Sequence, residues 1–120
     1  IDTWNHEPDV NVDLIEVADI ATPHIAGYSF QGKLNGTSLA VRAVAEYFGI
    51  EELKDFFPVD EFSDHQPLHL DLKGKNQGEI AAVFQYNYPI FTDDFRFRME
   101  PDKFEKLRSE YQYRREVYVE

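Results

Sequence analysis

Leu68-His69-Leu70-Asp71-Leu72-Lys73 alternates apolar and polar side chains, the pattern of a strand with one buried face. Outward from it, Gly78–Tyr86 places Ile80, Val83 and Phe84 on one face of a helix. Asp102 and Glu105 have the spacing of a capping box for a further helix, whose buried stripe is Phe104, Leu107 and Tyr111. Val117 and Val119 alternate again and predict a second strand beside 68–73. Residues 68–120 therefore read as a small α+β unit.

Upstream, Val41, Val44, Ala45 and Phe48 recur at helical spacing and predict one buried stripe. Thr37 or Ser38 can cap that helix, and Gly49 is the expected stop. Residues 24–36, with Gly27, Gly32 and Gly36, read as an exposed loop. Asp13–Glu16 reads as a helical turn, and Val17–Ala21 as a brief strand ended by Thr22-Pro23. Residues 51–67 are acidic, broken by Pro58 and Pro67, and read as a surface connection with one short helical piece.

The whole chain has 120 residues, 42% hydrophobic and 29% charged, a globular balance with material for a core. Twelve Lys and Arg stand against 23 Asp and Glu. A net charge of -11 argues against a phosphate-backbone binder and against an anionic membrane surface. Six carboxylates and no Lys or Arg fall in the first twenty residues. The absence of cysteine excludes disulfides, thiolate metal sites and Cys nucleophiles. No apolar run approaches the roughly 18 residues of a membrane span, so a cytoplasmic protein is expected. The chain opens on Ile1 rather than Met, which suggests a processed or excised part of a longer protein.

Glu7-Pro8 and Thr22-Pro23-His24 put a carboxylate and an imidazole beside prolines in loops, where catalytic groups concentrate. Oxidising an alcohol by hydride transfer requires removal of the hydroxyl proton, and imidazole suits that task at neutral pH. A carboxylate on the other ring nitrogen fixes the tautomer and favours the imidazolium. A lone His after Thr-Pro is ordinarily a turn residue; the spaced pair is far more specific.

Asp2-Thr3-Trp4, Glu7-Pro8 and Thr22-Pro23-His24-Ile25-Ala26-Gly27 together resemble the closing signature of the D-isomer-specific 2-hydroxyacid dehydrogenases. The resemblance implies His24 as proton donor and acceptor, Glu7 as its partner, and Asp2 and Gly27 against NAD. It narrows at Gly27-Tyr28-Ser29-Phe30-Gln31-Gly32-Lys33 and at Phe104–Arg108, Tyr111 and Arg114-Arg115-Glu116. Those runs are similar to the 4-phosphoerythronate dehydrogenases of vitamin B6 synthesis, which implies a substrate contact for Tyr28.

The implied architecture is α/β plus α+β. Residues 1–36 would end a Rossmann-like NAD-binding domain, 37–57 would form a return helix, and 58–120 a dimerisation domain. The chain holds no G-x-G-x-x-G turn and no Asn-x-x-Arg-Gly motif for the family's catalytic Arg, and Arg42 on a regular helix does not replace it. The fragment by itself is therefore expected neither to bind NAD well nor to turn over. Another 2-hydroxyacid dehydrogenase, or a non-catalytic dimerisation module with a vestigial dyad, are the alternatives.

His65 and His69 with Glu61 and Asp64 invite a metal reading, but Pro67 forbids a helical clamp. On a strand the two rings would stand about 13 Å apart at roughly 3.3 Å per residue, so no metal site is expected. Arg114-Arg115 among Tyr111, Tyr113 and Tyr118 fits a protein interface better than nucleic acid, given the acidic balance. A homodimer held by residues 66–120 is expected, because so small a unit cannot enclose all its rings. Packing of those rings onto residues 37–57 within one chain is the alternative.

Overall fold

A computed structural model describes residues 1–59 and 65–120. In chain order they form helices α1 (Val12–Val17) and α2 (Phe30–Phe48), strand β1 (Leu68–Leu70), helices α3 (Gln77–Asn87), α4 (Ile90–Met99) and α5 (Phe104–Ser109), and strand β2 (Val117–Val119). Short 3-10 turns lie at Glu51–Leu53 and Pro101–Lys103. The described chain divides into two compact units, Ile1–Ala26 with Gly74–Gln112, and Gly27–Lys73 with Tyr113–Glu120.

The first unit is helical and built on rings. Trp4, Ile15, Ala21, Phe97 and Phe104 form its buried core, with Val10, Ala18 and Leu107 packed against it. Trp4 and Phe97 meet edge to face at 5.4 Å between centroids, and Phe97 lies 5.9 Å from Phe104. Such ring pairs add about 0.5–1.5 kcal/mol beyond the area they bury. Asn11 caps α1 through its side chain, which accepts from the Asp13 and Leu14 N–H groups. Asn76 and Glu79 make a reciprocal capping box on α3.

Beyond α1 the chain does not become a strand. Val17 closes the helix, and no strand is formed at 18–21 among the described residues. The polar backbone there is satisfied by side chains of α4 instead. Arg98 donates to the Ile15 carbonyl at 2.5 Å and the Ala18 carbonyl at 2.6 Å, while Asp94 accepts from the Ala21 N–H at 2.6 Å. Arg98 and Asp94 are themselves paired through Nε at 2.9 and 3.0 Å. Burial raises the Asp94 carboxyl, but Arg98 and the Ala21 N–H outweigh it and hold the pKa below the ordinary value. α4 is absent from the sequence-based expectation altogether. Its rings Phe91 and Phe95 face outward and only Phe97 is fully buried, so the residues that repeat at helical spacing are not the ones that face the core.

The second unit carries the sheet. β1 and β2 are neighbours, as the two alternating segments predict, and they run parallel, pairing Leu68 with Val117, His69 with Tyr118 and Leu70 with Val119. β1 stops at Leu70 because Asp71 turns the chain, its carboxylate accepting from the Lys73 N–H at 2.8 Å ahead of Gly74 at φ 76°.

α2 begins at Phe30, so the expected exposed loop over 24–36 is mostly helix. Ser29, not Thr37 or Ser38, is the cap, and its hydroxyl accepts from the Gly32 N–H at 2.9 Å. Thr37 and Ser38 lie inside the helix and donate back to the Lys33 and Leu34 carbonyls. Gly32 has a packing reason that its reading as a loop residue misses. A Cβ there would stand 2.7 Å from both the Gly27 carbonyl oxygen and the Ser29 hydroxyl. Gly32→Ala is therefore expected to lose about 1–3 kcal/mol to overpacking, against about 1 kcal/mol regained in helix propensity. A urea melt of the variant that coincides with or exceeds the wild type would contradict this.

Gly49 ends α2 as expected, at φ 69° with its N–H on the Ala45 and Glu46 carbonyls. The predicted buried stripe is a correction. Ala45 is buried, but Val44 and Phe48 remain exposed, because no described residue covers that end of the helix. A second correction concerns Asp102. It lies in the 3-10 turn, and α5 starts at Phe104 with no side-chain cap, since Pro101 tightens the chain into that turn first. Phe104 is nonetheless buried as predicted, with Leu107 and Tyr111 half-buried behind it.

Candidate active site

Glu7 and His24 are brought together in the first unit. The His24 Nδ1 lies 2.7 Å from the Glu7 Oε2. The other carboxylate oxygen, Oε1, accepts from the Trp4 N–H at 2.8 Å. Trp4 in turn is fixed by the core and by its indole N–H, which donates to the Thr22 carbonyl at 2.8 Å. The ring core thus sets the orientation of the carboxylate.

His24 sits in the left-handed region, at φ 55°. For a residue with a side chain this costs of order 1–3 kcal/mol and persists only where the surroundings hold it. Several groups do. The His24 N–H donates to the Thr22 carbonyl at 3.0 Å, and the His24 carbonyl accepts from Arg108 Nε at 3.1 Å. The next two N–H groups, of Ile25 and Ala26, donate to the Asp2 carboxylate at 2.8 and 3.0 Å. Asp2 also accepts from the Thr22 hydroxyl at 2.7 Å. The Asp2 side chain therefore organises the 22–26 loop.

The His24 side chain is 39% exposed and that of Glu7 20%. With Nδ1 committed to Glu7, Nε2 is the ring atom left to exchange a proton with a bound molecule. Burial pushes the Glu7 carboxyl up, but the bond to His24, the Trp4 N–H and the charges of His24 and Arg108 outweigh it, so its pKa lies below the ordinary value. A depressed carboxylate stabilises the fold above its unfolded pKa, and that contribution is lost as pH falls through the folded one. Glu7→Gln is therefore expected to be less stable than wild type at neutral pH, with the gap closing in acid. Paired urea melts between pH 7 and pH 3 check this, and a gap of constant size speaks against it.

Gly27 and Tyr28 belong to the second unit. Gly27 has φ 78° and open space where a Cβ would stand. Tyr28 packs edge to face on Tyr113 at 5.6 Å, and the Lys33 ammonium lies 3.8 Å from its ring centroid. His65 stacks on Phe30 at 3.7 Å, and His69 faces Glu120 at 3.4 Å, so the two histidines have separate partners. Glu61 and Asp64 lie outside the described residues. Arg42 donates to the Phe56 carbonyl at 2.8 Å. Among the described residues no helix is long and apolar enough to cross a membrane.

Sequence reasoning named the dyad but not the groups that hold it. Trp4 and Thr22 were read as motif residues, and Arg108 as part of a C-terminal run. Only a contact across 84 residues gives Arg108 its place beside His24, and nothing local signals such a contact.

The proteins named erythronate-4-phosphate dehydrogenase from Yersinia pestis and Yersinia pseudotuberculosis are each 37% identical to this chain over 123 residues, matching 97% of it. The chain is thus similar to part of these dehydrogenases. It spans about a third of the length of these relatives, 32% in each case. No family model matches it. The resemblance read from the motif residues around Glu7 and His24 thus extends over nearly the whole chain.

Proposed function

We propose that this chain is the C-terminal part of an NAD-dependent dehydrogenase that oxidises the C2 hydroxyl of 4-phospho-D-erythronate to the 2-oxo acid. The observation that carries the proposal is the 2.7 Å pair of His24 and Glu7, in a chain related to erythronate-4-phosphate dehydrogenases. In this reading His24 Nε2 takes the hydroxyl proton, and Glu7 stabilises the imidazolium and fixes the ring.

NAD supplies the acceptor of the hydride when bound. The residues present fit only one end of that cofactor. Gly27 leaves space for a close approach, and the Asp2 carboxylate, whose Oδ1 accepts from Thr22 and Ile25 and Oδ2 from Ala26, has acceptor capacity for a further donor. The proposal places Asp2 and Gly27 against the cofactor, with Asp2 also shaping the 22–26 loop, and Tyr28 at the substrate. With no G-x-G-x-x-G turn in it, the chain alone is inactive.

In this reading residues 1–36 end the nucleotide-binding domain, 37–57 lead out of it, and 58–120 form a dimerisation domain of a cytoplasmic homodimer, a division by sequence that the shared core of Trp4, Ile15, Ala21, Phe97 and Phe104 crosses. In the first unit, Phe91, Phe95 and Met99 are spaced i, i+4, i+8 on α4 and are all more than 60% exposed. An apolar stripe of that kind supports burial against a second copy. Sedimentation equilibrium of the chain is expected to give twice the monomer mass at micromolar concentration, and a lone monomer would count against the dimer.

The experiment for the activity is a turnover assay of the full-length protein with NAD and a panel of 2-hydroxy acids. Preference for 4-phospho-D-erythronate supports the reading. Equal or better turnover of an unphosphorylated acid favours a different 2-hydroxyacid dehydrogenase, and no turnover of any acid favours a non-catalytic module.

A further inference from the structure

The core of the first unit reaches the dyad by two routes. One runs through Trp4, whose N–H holds the Glu7 carboxylate. The other runs through Phe104, buried to 2% exposure, over whose ring the Arg108 guanidinium lies at 5.8 Å from the centroid. Arg108 follows Phe104 by one helical turn on α5, so the ring and the first turns of the helix fix where its guanidinium goes. From there its Nε donates to the carbonyl of His24, the residue held at φ 55°. Arg108 is half-buried, which limits the freedom of the side chain to leave that bond.

We propose that Arg108 is a positioning residue of the dyad, gripping the His24 backbone by its carbonyl so that the imidazole stays aligned on Glu7. This rests on the reading of His24 and Glu7 as the acid/base pair. The αL conformation of His24 is not its resting preference, and the peptide unit on its C-terminal side must be held for the ring to stay in place. Asp2 holds the amide N–H groups of that segment, and Arg108 holds the carbonyl between them and the ring. The charge of Arg108 also acts on Glu7, in the direction that keeps the carboxylate ionised. One side chain thereby supports both members of the pair without touching the reacting atoms. Positioning of this kind matters because displacements near 1 Å at a reacting group can cost about 10²-fold in rate.

The test uses the full-length protein with Arg108→Met and Arg108→Lys. The first readout is the downfield proton resonance of the His24 Nδ1 to Glu7 bond, assigned by its loss in His24→Asn. The second is turnover. In Arg108→Met the resonance is expected to broaden or vanish while those of His65 and His69 stay in place. Turnover should fall about 10- to 100-fold with KM within about twofold, since alignment rather than substrate binding is lost. Arg108→Lys keeps the charge and a donor but not the planar Nε–H over the Phe104 ring, so it should recover part of the resonance and part of the turnover that Arg108→Met loses.

A wild-type resonance and wild-type turnover in Arg108→Met would overturn the proposal. So would equal losses in the Met and Lys variants together with a collapsed melting temperature, which would assign Arg108 to stability alone. Unchanged turnover in His24→Asn would instead remove the acid/base reading. The resonance in Arg108→Met would still decide whether Arg108 aligns the ring.

Discussion

His24→Ala in the full-length protein is expected to lower turnover by about 10²–10⁴-fold, the range that a positioned general acid or base contributes. The loss should fall on turnover far more than on NAD affinity, because in the proposed reading the imidazole acts on the substrate proton, with its Nδ1 bound to Glu7. Glu7→Gln should cost less and displace the pH profile. An amide can still bond to the ring, but it cannot stabilise the imidazolium with a charge. Steady-state rates across pH, with cofactor affinity measured separately, check both variants. Wild-type turnover in His24→Ala would remove the enzymatic role from this site.

Phe97→Ala is expected to destabilise the first unit by about 3–5 kcal/mol, the usual cost of removing a buried ring. Phe97 is 0% exposed and touches Trp4 on one side and Phe104 on the other. Its loss would leave a cavity where the two routes from core to dyad join. Trp4 is the only tryptophan of the chain, so its fluorescence reports the transition directly. Urea melts of the 120-residue chain followed by that signal give the comparison. A change below about 1 kcal/mol would mean that the core closes around the gap, contrary to its close packing. The same variant should also weaken the dyad, since Trp4 N–H orients Glu7.

That Leu68–Leu70 and Val117–Val119 are neighbouring strands was legible from period-two alternation, whereas their parallel direction and register were not. The Gly49 stop was legible because a left-handed cap admits few other residues. Glu7 and His24 were legible as a pair from residue type and resemblance. The helical start at Phe30 was not. Gly32 and Gly36 suggest a loop by propensity, whereas the Ser29 hydroxyl caps the Gly32 N–H and the distant Arg114 carbonyl takes the Phe30 N–H where the helix begins.

By itself the sequence determined which chemistry the chain could carry: an imidazole and a carboxylate in proline-bordered loops, no thiol, and a strongly acidic surface. It also determined where Gly49 stops a helix and which segments alternate as strands, because those signals are local in the chain. Only the tertiary structure decided what holds the pair in register. Trp4 orients the carboxylate from the core, Asp94 and Arg98 fix the 15–21 backbone, and Arg108 reaches His24 from 84 residues away. Packing also left one end of the α2 stripe uncovered, although its spacing predicts burial. Periodicity states which side chains share a face; whether anything lies against that face depends on residues far along the chain.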